Sequence, residues 1–306
     1  MRSLAPVGAG HSSVGAHGAD DLLTPGGRRH LQKHVDDGHG KTLCLSTAYL
    51  RSIGEVLHIG TSGRQYKDWR GAFYPEKLPQ KQWLDFYARH FTTAEVNNTF
   101  YRLPEKQVFE TWAETVPAGF RMAVTMSRYL THIKRLRDPA EPVDRFLTRA
   151  AGLDDRLGPV LIQLPPDLPA RVEALEATLG LFPPHVRVAV EPRHESWWTD
   201  GVEEVPVRHN AALCWADRRN RVLTPLWRTA DFGYLRLHEG TARRRMSYGA
   251  RALDAWLGRL TEVFDEDADV YVYVNNDPGC AAVDNAKTLI TRARAAGIAV
   301  RQNTSH

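Results

Sequence analysis

A chain of 306 residues, 42% hydrophobic and 25% charged with a formal net charge of +4, has the composition of a folded globular protein and fits one large α/β domain. No stretch approaches the roughly 18 apolar residues of a membrane-spanning helix, and the start, with one arginine and no continuous apolar run, fails as a secretory signal. Three scattered cysteines (Cys44, Cys214, Cys280) argue against a disulfide framework or structural zinc site and for a cytoplasmic protein; a pI near 9.0 suits an anionic ligand without requiring nucleic acid.

Residues 1–53 are glycine-rich, carry five of the thirteen histidines (His11, His17, His30, His34, His39) and show no hydrophobic period. They read as a disordered N-terminal extension, and no ligand spacing among those histidines supports a closed metal site. The folded domain reads from 54 to 302.

Within it, β-rich runs alternate with amphipathic ones. The predicted strands are 57–63, 93–100, 120–127, 159–165, 186–193, 211–217, 232–239 and 269–277. Between them, apolar residues recur every three or four positions, as in helices that pack one face on a sheet. Trp83, Leu84, Tyr87 and Phe91 form the first face; Pro104 is placed to begin a helix carrying Val108, Trp112 and Val116. Val143, Phe146, Leu147, Ala150, Leu153 and Leu157 form the next, then Val172, Leu175, Leu179 and Phe182. Leu253, Trp256, Leu257, Leu260 and Phe264 follow the seventh strand from Gly249, and Val283, Ala286, Leu289 and Ile290 follow the eighth. This alternation predicts an α/β fold, a single (β/α)8 barrel. The proline-broken segment between Asp217 and Phe232 predicts a sixth helix reduced or missing.

Both faces of a parallel barrel strand are covered, so alternation separates pore-facing from helix-facing positions. In YLRLH, Leu235 and Leu237 share one face and Tyr234, Arg236 and His238 the other. The polar set is assigned to the pore. The same reasoning turns His58, Ser62, Glu95, Asn97, Thr99, Thr125, Ser127, Gln163, Arg187, Glu191, Asp217 and Asn275 inward, mostly in the last half of their strands, where barrel enzymes place their chemistry. Asn276 and Asp277 are assigned to the turn before Pro278.

The motifs GTSGRQYKDWRGAFYP, EVNNTFYRLP, SRYLTHIKRL, GPVLIQLPP, VAVEPRHESWW, YLRLHEG and YVYVNND, in this order, resemble the YecE-like family, domain of unknown function 72, over roughly residues 54–300. The resemblance implies an eight-stranded TIM barrel in a family without an established activity. Positions matching its pattern include Ser62, Glu95, Asn97, Tyr101, Ser127, His132, Lys134, Gln163, Glu191, Arg193, His194, Asp217, Arg236, His238 and Asn275. Two positions depart from it: Arg64 stands where the family usually has tryptophan, and Thr125 where lysine is common, which removes a candidate amine nucleophile.

The resulting candidate site places catalytic roles on Glu95, Glu191, Asp217, His238 and Asn275, as acid, base or metal ligand. Substrate binding falls to Ser62, Asn97, Tyr101, Ser127, Arg128, His132, Lys134, Gln163, Arg193, His194 and Arg236. Basic loops (Arg128, His132, Lys134, Arg135 and Arg137; Arg243, Arg244 and Arg245) would clamp a small anion through its phosphate or carboxylate. Trp69, Trp197, Trp198 and Tyr66 offer rings for a base or sugar. A divalent metal is compatible with the donors, and no Walker loop, dinucleotide fingerprint or GxSxG elbow calls for a nucleotide cofactor or serine hydrolysis. Nucleic-acid binding and a non-catalytic sensor are the alternatives to an enzyme.

Overall fold

A computed structural model describes residues 57–243, 245–265 and 268–302; the reading of residues 1–53, and that of Arg244, lie outside them. Eight parallel strands form the sheet: β1 (Leu57–Thr61), β2 (Thr93–Val96), β3 (Arg121–Thr125), β4 (Leu157–Gln163), β5 (Val188–Glu191), β6 (Ala212–Arg218), β8 (Gly233–Glu239) and β9 (Val270–Val274). They run in the order β1-β9-β8-β6-β5-β4-β3-β2, and a parallel bridge between Ser62 and Glu95 brings the two end strands together. Closure depends on Gly60, where a Cβ would fall 2.1 Å from the Thr93 carbonyl oxygen; any side chain there would push β1 and β2 apart.

Helices cover the sheet: α1 (Trp83–Ala88), α2 (Asn98–Tyr101), α3 (Lys106–Thr115), α4 (Ala140–Ala150), α5 (Val172–Leu179), α6 (Asp200–Arg208), α7 (Ala250–Val263) and α8 (Ala281–Ala295). No helix joins β6 to β8. The chain instead turns at Arg219 and Asn220, both at positive φ (56° and 59°), into the short β7 (Arg221–Val222), antiparallel to β6, as a two-residue hairpin turn requires. Among the described residues no helix is long and apolar enough to cross a membrane.

Several predicted boundaries move. The second strand stops at Val96, and Asn98–Tyr101 form a helical turn, so Asn97 and Thr99 do not alternate along a strand. The Thr99 hydroxyl instead donates to the carbonyls of Val96 and Thr125. Helix α3 starts at Lys106 rather than Pro104, and Leu157 opens β4 rather than closing the preceding helix. Helix α6, with Pro206 inside it, has no counterpart among the predicted faces.

The strands divide the interior in two. Leu235, Leu237, Val270, Val272, Val274, Val188, Val190 and Trp215 pack against the helices. Ala123, Leu161, Ala189, Cys214, Tyr234, Tyr271 and Tyr273 fill the pore. Alternation thus places Tyr271, Tyr273 and Arg236 inward, as the sequence predicts. Asp217 is the correction. It shares the outward face of β6 with Trp215, accepts a hydrogen bond from the Tyr248 hydroxyl at 2.7 Å, and burial raises its carboxyl above the ordinary range. On β6 the pore takes the small residues Ala212 and Cys214, so a polar side chain there went to the helix layer, where Tyr248 satisfies it.

Candidate active site

At the carboxyl ends of the strands, one guanidinium organises the pore. Arg236 on β8 donates from Nη1 to Glu191 Oε2 at 2.6 Å and from Nη2 to Glu95 Oε1 at 2.9 Å. All three groups are buried. Glu95, at the end of β2, also receives the Tyr234 hydroxyl at 2.6 Å and a short bond from Ser62. Glu191, at the end of β5, accepts from Gln163 Nε2 at 2.8 Å, pairs with His238 Nε2 at 2.9 Å and meets Arg193 at 3.4 Å. Burial works to raise the Glu191 carboxyl, but Arg236, His238 and Arg193 outweigh it and hold it well below the usual carboxylate range.

The network reaches the mouth through His238. A carboxylate can only accept, so the bond to Glu191 places the imidazole proton on Nε2. Nδ1 then accepts from the Asn275 amide at 3.0 Å. Gln163, His238 and Asn275 are half-buried, whereas Arg193 is exposed.

Beside this network lies a carboxyl that the sequence assigns only to a turn. The Asp277 backbone does shape that turn, accepting from Cys280 N and Trp69 Nε1, yet its side chain caps nothing. Its Oδ1 has no hydrogen-bond partner. Burial, with Glu95 adding to it against the nearby Tyr66 hydroxyl, pushes the carboxyl up to about 7. Tyr66 in turn receives the Asn97 amide at 3.2 Å and donates to the Ser62 carbonyl. Asp277 lies two residues beyond Asn275, in register with the inward face of β9, and that spacing was the signal available in the sequence.

The basic loop after β3 separates into used and available cations. Arg135 pairs with Asp167 at 2.9 Å and Lys134 with Asp138 at 3.4 Å, while Arg128 is in no ion pair among the described residues. Burial lowers the His132 imidazole, and the charges of Arg128 and Arg193 add to that. Ser127 Oγ accepts from Tyr129 N, and His194 Nδ1 caps the turn at Glu195–Trp197. Tyr101 is 73% exposed on the surface, away from the buried network. Arg243 and Arg245 are exposed, and Arg245 pairs with Asp284.

Two further expectations change. Trp69 and Trp197 are fully buried, each donating its indole N–H to a carbonyl, so neither offers a free stacking face; Trp198 packs against Trp227. Among the described residues no three His, Cys, Asp or Glu side chains gather as metal ligands, and the two pore glutamates are engaged with Arg236. Thr125, at the lysine position, points a buried hydroxyl into the pore with no partner.

Comparison with known proteins agrees with this architecture. YecE of Escherichia coli K12 is 35% identical over 122 residues, 40% of this chain and 45% of its own length, so the chain spans less than half of that relative in the match. YunF of Bacillus subtilis is 24% identical across 77% of this chain and 94% of its own length. The crystal structure of a DUF72 family protein from Thermotoga maritima superposes with a TM-score of 0.70 at 27% identity, covering 78% of this chain and all (100%) of that one. A second, from Enterococcus faecalis, shares the fold at 0.66 and 17% identity, over 82% and 99% of the two chains. The family described as "Protein of unknown function DUF72" matches residues 58–305. A match that begins at the second residue of the first barrel strand and runs past the last helix takes in the whole barrel apart from Leu57: the chain belongs to the DUF72 family.

Proposed function

We propose that this barrel is an enzyme that performs acid–base chemistry on a small anionic substrate at its C-terminal mouth. The observation that carries the reading is two carboxyl groups that share the influence of Arg236 and are nonetheless driven apart in acidity: Glu191 is held ionised by its cations, and Asp277 is pushed up to about 7. Such divergence is how one site keeps an acid and a base ready at the same pH. Glu191 fixes the His238 tautomer, so Nδ1 carries the lone pair that serves as base once substrate displaces the Asn275 amide from it. Asp277, with a free oxygen and a proton to give near neutrality, is the acid. Arg193 and Arg128 supply the anion's counter-charges, and His132, which burial and those two cations bias toward its neutral form, offers a hydrogen bond. Glu95 and Glu191, two of the donors a metal would need, are already paired with Arg236.

The test is depletion of compounds from the anionic fraction of a cell extract, followed by mass spectrometry with the wild-type chain and with Asp277→Asn and His238→Gln. The wild type should consume at least one anionic compound, and each variant should slow that by about 10²- to 10⁴-fold. Asp277→Asn should also remove the limb of the pH–rate profile near 7. A compound retained by the wild type but never converted would replace this reading with a sensor, and turnover equal in all three chains would sink the assignment of both residues.

A further inference from the structure

We propose that the opposite, N-terminal end of the barrel is a second binding site, for a small metabolite carrying a phosphate or carboxylate group that Arg121, Arg301 and His58 receive. A cavity of about 640 Å³ opens there among the strand beginnings, within the size range of small-molecule sites. The layer of Leu161, Ala189, Cys214, Tyr234 and Tyr273 separates it from the mouth, so the two sites are independent.

The cavity wall is not a closed set of ion pairs. Arg187 pairs with Asp269, and Arg156 with Asp155. Among the described residues the Arg121 guanidinium donates only to the carbonyls of Ala118 and Phe120, each at 3.2 Å, and Arg301 is in no ion pair. Two guanidiniums therefore face one cavity without carboxylate partners. Between them and Tyr271 stands His58, 4% exposed and stacked on the Tyr271 ring at 4.4 Å. Its Nε2 faces Asp269 at 3.5 Å, while Nδ1 is buried with no partner at all. An orphaned nitrogen of this kind is rare in a folded protein.

Burial lowers the His58 imidazole; Asp269 opposes this, and Arg301 and Arg121 add to it. An oxyanion lying on the two guanidiniums would relieve their repulsion of the ring and give Nδ1 an acceptor, so His58 would take up a proton as the anion binds. The other titratable groups lining the cavity, Asp154, Asp155, His185 and the Arg187–Asp269 pair, surround the space left for the remainder of the ligand. Asp154, a carboxylate, accepts hydrogen bonds only, so that remainder carries hydroxyl or ammonium donors.

The probes are inorganic phosphate and, separately, acetate, titrated into the full-length chain while the His58 ring signals are followed by NMR and assigned with His58→Gln. A saturable shift of those signals toward the protonated form is expected with at least one probe; which one it is separates a phosphate head from a carboxylate. Arg121→Ala and Arg301→Ala should each weaken it by roughly tenfold or more, with Arg301→Lys retaining part. Arg193→Ala, at the other end, should leave it unchanged. Absence of a saturable shift with either anion in the wild-type chain would overturn the proposal whatever the variants do. So would a shift that persists in the folded Arg121→Ala/Arg301→Ala double variant.

Discussion

Both ends of the pore carry an arginine, a carboxylate and a histidine, yet the two clusters are built in opposite proportion. At the mouth, Arg236 serves two buried glutamates, and each of these three charges is within hydrogen-bond reach of its complement. At the floor, the carboxylate Asp269 is claimed by Arg187 and His58, while Arg121 and Arg301 are in no ion pair among the described residues. The mouth cluster is closed to solvent; the floor pair is 37% and 30% exposed. A buried ion cluster holds together only when complete, whereas a half-solvated pair lets water replace a missing member.

Removing the central cation from each cluster tests that contrast, and the mouth should show the largest effect. Arg236→Met leaves Glu95 and Glu191 buried without their shared counter-ion, which should destabilise the fold by about 3–5 kcal/mol in urea denaturation. A loss under about 1 kcal/mol would mean that the glutamates simply protonate, and that the mouth is no more committed than the floor.

Arg187→Met is the weaker counterpart. Its pair with Asp269 is partly solvated, so the expected loss is about 1 kcal/mol and should shrink with added salt. The sign of its pH dependence follows from Asp269. Burial tends to raise that carboxyl, but His58 and Arg187 overcome this and depress it. A depressed carboxylate contributes stability that is present above its unfolded pKa, near 4, and is lost as pH falls below that. The variant should therefore lose less stability than the wild type between neutral pH and strong acid. Equal acid sensitivity in the two chains would mean that His58 alone holds Asp269.

How far these clusters could be read from the sequence depends on what else satisfies each residue. YLRLH and VYVYVNN alternate without exception, and their inward sets are those of the structure. Asp217 fails the same rule because a tyrosine on a later loop, distant in sequence, hydrogen-bonds it on the helix side. EVNNTF reads as alternating but breaks at Asn97, where the chain coils into α2 and Thr99 finds carbonyl partners instead of the pore. Asp277 was hidden by an adequate local explanation: NDPG is turn chemistry, and the backbone does turn there, while the side chain points to Tyr66. The floor had no local signature, because Arg121, Arg187, His58 and Arg301 sit at the starts of separate strands and at the end of the chain.

Arg64 offers the finest comparison, as a buried cation near the mouth with no carboxylate partner among the described residues. It is 5% exposed, lies over the Trp112 ring at 5.6 Å and leaves Nε without a partner. Burial pulls its guanidinium below the ordinary value, with only Tyr74 and Tyr87 opposing. A cation–π contact contributes about 0.5–2 kcal/mol, less than the several kcal/mol that desolvating an ion costs. Arg64→Met keeps the unbranched stem against Trp112 and removes the charge, so it should be neutral or stabilising by up to about 1 kcal/mol. The same substitution at Arg236, at nearly the same burial (4% exposed), should have the opposite sign. If Arg64→Met instead costs as much as Arg236→Met, carboxylate partners are not what separates a structural cation from a tolerated one, and the π faces around Arg64 must do for it what Glu95 and Glu191 do for Arg236.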